Sequence, residues 1–126
     1  NGNNKLNRLE LNNITNSLLK KVEAIIRAEL MGDVKDRLRQ LGVSGMTVSD
    51  VSGWSKQREL HLQWRGMPVS YDLIPRVKFE IVALDPQVED IVQAIVETAR
   101  TGEHGDGIVS ISHVERAINI YNLGRT

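Results

Sequence analysis

Between Thr101 and Ser110 the chain reads TGEHGDGIVS, with three glycines inside seven residues and an apolar, β-branched run directly after them. Glycine lets consecutive backbone N–H groups converge on one point, which is the elementary main-chain device for holding an anion. A polyphosphate ordinarily also needs fixed cations in charge-assisted contact. No Lys or Arg stands between Thr101 and Ser110. The chemistry legible here is therefore main-chain anion binding, with its cations missing from the loop.

Other chemistry is weakly signalled. His61, His104 and His113 lie in three separate segments, and none has a second ligand at metal-binding spacing, so each reads as an ordinary histidine. The chain has no G-x-S-x-G, no G-x-x-x-x-G-K-[ST] and no carboxylate pair with a structural reason for a displaced pKa. Without an acid, base or nucleophile constellation, an enzyme is not expected. A second stretch, WSKQRELHLQWRGMPVSYDL, intersperses Trp54, Trp64 and Tyr71 with Lys56, Arg58 and Arg65. It reads either as a ribbon packing its aromatic residues on its own stem or as a recognition arm, since Trp, Tyr and Arg dominate protein interfaces.

The 126 residues are most simply one domain, with 40% hydrophobic and 25% charged residues, ordinary for a soluble protein. Sixteen Lys and Arg balance sixteen Asp and Glu, so bulk attraction to nucleic acid or an anionic membrane is not indicated. The absence of cysteine excludes a disulfide framework, a thiolate nucleophile and Cys-ligated zinc, and suits a cytoplasmic location. No apolar run reaches the roughly 18 residues of a membrane span, and no basic-then-apolar leader opens the sequence, so neither membrane insertion nor export is expected.

Elements that must position the loop follow from periodicity. Residues 1–17 are Asn-rich and polar, a lead-in expected to be disordered, and residues 18–126 form the folded domain. LLKKVEAIIR alternates as a strand; GDVKDRLRQLG carries Val34, Leu38 and Leu41 at helical spacing and stops at Gly42. GMTVSDVSGW alternates again, with Met46 and Val48 on one face, and RVKFEIVAL puts Val77, Phe79, Ile81 and Ala83 on one side. The connection between these two strands is too long for a compact domain unless it is functional or disordered. Asp85 caps and Pro86 starts a helix with Val88, Ile91, Val92, Ile95 and Ala99 on one stripe. GIVSIS is a final strand, and Ser112 with Glu115 predicts a capping box for one helical turn. The order β-α-β-β-α-β is the split unit of the ferredoxin-like α+β sandwich. Such a sandwich leaves one sheet face uncovered, and apolar residues on both strand faces predict that another copy covers it.

In order and spacing, KKVEAIIR, LGVSGMTVSDVSGW, WRGMPVSYDLIPRVKFEIV and ARTGEHGDGIVSI resemble the PII nitrogen-regulatory signalling proteins, over about Leu19 to Tyr121. The resemblance implies a homotrimer with a long T-loop over about Ser55 to Leu73 and nucleotide clefts between neighbouring subunits. It implies a regulator that is not an enzyme, binds ATP or ADP and in many members 2-oxoglutarate, and controls a membrane transporter, enzyme or regulator through the T-loop. Carried over by position, Gly45, Met46, Thr47 and Val82 adjoin the adenine, and Thr101, Gly105, Asp106 and Gly107 surround the phosphates. Lys56 replaces an Arg at the start of the T-loop, and Arg58 and Arg65 are candidate surrogate phosphate cations there. Gln57 and Arg76 match the positions that reach 2-oxoglutarate, and Trp54, Trp64, Arg65 and Tyr71 are the partner-facing set.

The sequence departs from the family pattern on the phosphate side. Glu103 and Ile108 stand where the family has lysines, and Asn119 and Tyr121 where it has two late arginines. The family's modified T-loop tyrosine is Val69, so uridylylation there is not expected, and the chain ends soon after Gly124, leaving little of the family's C-terminal loop. Two readings follow: a trimeric sensor of an adenine nucleotide with fewer phosphates (ADP or AMP before ATP) or of a different small anion, or a ligand-independent interaction module on the same scaffold.

Overall fold

The computed structural model describes residues 18–54 and 73–121. Strand β1, Leu19–Arg27, buries Val22, Ala24 and Ile26 and turns Lys21, Glu23, Ile25 and Arg27 to the opposite face, as alternation requires. A 3-10 turn, Ala28–Leu30, leads into helix α1, Met31–Gln40, where Val34 and Leu38 fall on one face because they are four residues apart. Strands β2, Thr47–Gly53, and β3, Ile74–Leu84, precede helix α2, Asp85–Ala99, and strand β4, Gly107–His113.

The strands form one sheet in the order β2-β3-β1-β4, with every neighbouring pair antiparallel. This is the expected ferredoxin-like arrangement, with the first and third strands at the centre. Side chains of α1 (Val34, Leu38) and α2 (Val88, Ile91, Ala94, Ile95, Ala99) join Val22, Ala24, Ile26, Val77, Phe79 and Ile81 in a single core. Both helices therefore cover the same sheet face. Each fully buried large aliphatic or aromatic side chain of this set stabilises the fold by about 1.5–3 kcal/mol.

Two local expectations are corrected. Helix α2 does begin at Asp85-Pro86, but its first turn is closed by Gln87, whose Oε1 accepts from the Leu84 N–H at 3.3 Å. The Asp85 N–H instead donates to the Leu18 carbonyl at 2.7 Å and ties the start of the helix to the start of β1. The helical turn expected at Ser112–Glu115 does not form. Pairing of β4 with β1 continues to His113, where Lys20 Nζ donates to Nδ1 at 2.7 Å, and the backbone at Ser112 is committed to the sheet.

The uncovered face is more ionic than the apolar surface the sequence suggested. Its middle holds Lys21, Glu23, Lys78 and Glu80, with Lys78–Glu80 at 3.3 Å and Lys21–Glu80 at 3.9 Å, flanked by Ile25, Val51, Val82 and Ile108. Val48, on the core side of the sheet opposite Phe79, stays 40% exposed, because β2 is an edge strand.

Candidate functional site

The Gly-rich loop begins where α2 stops. Arg100 takes an extended conformation after its N–H closes on the Val96 carbonyl at 3.0 Å, and the chain leaves the helix axis at Thr101. The loop then closes on itself through Asp106. One carboxylate oxygen accepts the N–H groups of Thr101 (2.9 Å) and Gly102 (3.0 Å), and the other accepts the Thr101 hydroxyl and Arg27 Nε (3.2 Å). Thr101 Oγ1 in turn accepts the Glu103 N–H at 3.2 Å. These contacts favour the ionised carboxylate, the Thr101 hydroxyl most and its N–H next, and hold Asp106 well below the usual carboxylate range.

The leading edge of the nest is thus filled by the loop's own anion. Three of the N–H groups that glycine spacing seemed to offer a ligand are already bonded within the loop.

The loop's far end is seated on β1. Gly107 has φ +120°, and a Cβ placed there would lie 2.0 Å from the Ile25 carbonyl oxygen, so no side chain fits between loop and strand. Gly105, at φ +95°, passes two guanidinium groups: a Cβ there would stand 3.4 Å from Arg76 Nη2 and 3.5 Å from Arg27 Nη2.

Those guanidiniums are the cations the loop lacks. Arg27 and Arg76 are register partners on β1 and β3. Arg27 Nη2 donates to the His104 carbonyl at 3.0 Å, and Arg76 Nη1 to the Gly105 carbonyl at 2.5 Å. Like charges facing each other across a ladder repel, and the two carbonyls with the Asp106 carboxylate offset that repulsion. Arg76 was legible in the sequence as a ligand-reaching cation; Arg27 read only as the last residue of a strand. Strand register is the signal that finds it, and register is not printed in a single sequence.

The remaining positions divide by location. Thr101, Gly105, Asp106, Gly107 and Arg76 come together at one end of the sheet, the end from which the long connection also leaves. There Gly53 pairs with Ile74, and Trp54 and Leu73 beyond them are 57% and 63% exposed. Gly45, Met46, Thr47 and Val82 gather at the opposite end, where Thr47 pairs with Glu80. Beside them is a cleft of about 300 Å³ whose lining includes Ser44, Gly45, Val82, Gln87 and Asp90. From Arg76 to Val82 is six residues of extended strand, about 20 Å. The two sets therefore stand at opposite ends of one sheet. Lys56, Gln57, Arg58, Trp64, Arg65 and Tyr71 lie outside the described residues, as do residues 1–17.

Of the positions where family cations are replaced, Glu103 is exposed, Ile108 is 65% exposed on the uncovered sheet face, and Asn119 Oδ1 accepts the Tyr121 N–H at 2.9 Å. Among the described residues no three His, Asp or Glu side chains converge as metal ligands, and no helix is long and apolar enough to cross a membrane.

A ferredoxin-like sheet with a Gly-rich, anion-type loop at one end and a cleft at the other makes this a small domain of the α+β class. The chain belongs to the family described as Nitrogen regulatory protein P-II, whose pattern matches residues 19–122. It is 42% identical over 102 residues to the Nitrogen regulatory protein P-II of Haemophilus influenzae, covering 81% of this chain and 91% of that one. It is 44% identical over 102 residues to Nitrogen regulatory protein P-II 1 of Methanothermobacter thermautotrophicus, covering 81% and 89%. The crystal structure of Arabidopsis thaliana PII bound to citrate superposes with a TM-score of 0.67 at 35% identity, covering 83% of this chain and 85% of that one. Proteins of this family are regulatory signal transducers that bind small effectors such as adenine nucleotides and 2-oxoglutarate.

Proposed function

We propose that this protein is a trimeric signal-transduction regulator whose effector is an adenine nucleotide bound between neighbouring copies, with Gly45, Met46, Thr47 and Val82 of one copy facing the base. Thr101, Gly105, Asp106, Gly107 and Arg76 of the next copy face the phosphates. The observation that carries the reading is the separation of these two sets by the length of β3, which makes each chain two half-sites. The charge around the loop favours a nucleotide with fewer phosphates: Glu103 adds a negative group, and the nearby guanidiniums already have loop oxygens as partners. ADP or AMP is preferred to ATP on this ground. The site for 2-oxoglutarate at Gln57 and Arg76 depends on ATP phosphates to hold its metal, and it weakens with them.

The segment that follows Trp54, residues 55–73, carries the signal to a transporter or enzyme, with Trp54, Trp64, Arg65 and Tyr71 as anchors and Lys56 and Arg58 as its candidate phosphate cations. Calorimetry of the assembled protein with ATP, ADP and AMP tests the sensor reading, which fails if none binds below about millimolar concentration. The second reading, a constitutive interaction module, is favoured by the internal satisfaction of the Thr101, Gly102 and Glu103 N–H groups. Hydrogen exchange across residues 55–73 with and without ADP separates the two, because a sensor requires a ligand that distinguishes two states of that segment.

A further inference from the structure

We propose that Arg27 is a positioning residue for the Gly-rich loop, holding both of its ends in the shape that receives the effector. The inference rests on reading that loop as the phosphate side of the site. Arg27 is 79 residues from Asp106 in sequence and 77 from His104, so the contact is made by the fold and not by local turn chemistry. Nε and Nη2 lie on one edge of a planar guanidinium. That edge meets the Asp106 carboxylate at 3.2 Å and the His104 carbonyl at 3.0 Å together. The same carboxylate holds the Thr101 and Gly102 N–H groups, so fixing Asp106 also fixes the first turn of the loop. One side chain from β1 thereby governs residues 101–106.

Three further features separate this contact from an ordinary surface ion pair. The side chains of Arg27 and Asp106 are 22% and 24% exposed, so solvent screens the pair less than two fully exposed groups. Arg27 faces Arg76 across the ladder, an arrangement unfavourable for two cations unless each has an acceptor, and the loop supplies both. The strand that carries Arg27 also seats Gly107 through the close approach of Ile25, so the end of β1 is the platform for the whole loop. A lysine would keep the charge and lose the two-point edge, because an ammonium is a single centre without a fixed fork.

The test compares Arg27→Gln and Arg27→Lys with the native chain by amide hydrogen exchange, using ADP as the probe for binding. In Arg27→Gln the Thr101 and Gly102 amides should exchange about tenfold faster and ADP affinity should fall about tenfold, while Val22, Ala24 and Ile26 keep native exchange. Arg27→Lys should leave Thr101 and Gly102 nearly as fast as the Gln variant, since charge alone does not replace the fork. Native exchange at Thr101 and Gly102 in Arg27→Gln, full restoration of their protection by Lys, or an equal acceleration at Val22–Ile26 would each overturn the proposal. If the native chain binds no ADP, the nucleotide reading fails, and the exchange comparison still decides the role of Arg27.

Discussion

Arg76 and Val82 share one face of β3 and stand at opposite ends of it, the first donating to the Gly105 carbonyl and the second half-exposed beside the cleft at Gly45. On the reading proposed above, each end of the sheet supplies half of a nucleotide site.

The loop's backbone should tolerate no side chain at its seat. Gly107→Ala forces a Cβ into the Ile25 carbonyl at positive φ and should destabilise by at least about 2 kcal/mol in denaturant unfolding. Gly32→Ala, in α1 with nothing within 4 Å of the new Cβ, is the contrast and should stabilise by up to about 1 kcal/mol. Similar effects at the two positions would show that the loop is not seated on β1 as described.

Acid should leave the loop intact over an unusually wide range. Asp106 has a folded pKa below its unfolded value near 3.9, so its contribution is fully present above that value and is lost only as the pH falls through the depressed folded value. The amide chemical shifts of Thr101 and Gly102 should therefore stay constant from pH 7 down to about pH 4. Asp106→Asn should move both resonances at neutral pH. An inflection of both amides between about pH 5 and pH 3.5, where an unshifted carboxylate titrates, would contradict the assignment.

Charge at the loop should set which nucleotide is preferred. Glu103→Lys with Ile108→Lys removes one negative charge and adds two positive ones at exposed positions. Calorimetry should show ATP affinity rising tenfold or more, with a smaller gain for AMP, because charge-assisted contacts to outer phosphates contribute about 1.5–3 kcal/mol each. Equal gains for ATP and AMP would mean nonspecific attraction.

Much of the fold was legible because its signals are local. Val22, Ala24 and Ile26 alternate, Val88, Ile91 and Ile95 recur with the helical period, and these patterns alone give the element order and the buried faces. The capping box at Ser112 failed because strand pairing with Lys21 outcompeted a weak local signal. At the site, the glycines announced an anion-type turn, but not that Asp106 fills part of it. Nor did the sequence show that Arg27 joins Arg76 as a cation beside the loop, since both facts depend on register between segments far apart in the chain.

The most direct measurement mixes two defective chains. Val82→Glu places a charge against the base at one end, and Arg76→Glu reverses a cation at the other; each homogeneous assembly should bind ADP poorly. Co-refolded and randomly mixed, with co-assembly verified by native mass spectrometry, the two should regain ADP binding at roughly one quarter of the sites, where intact halves from different copies meet. Binding no greater than in the two parent assemblies would contradict a cleft built from opposite ends of neighbouring chains.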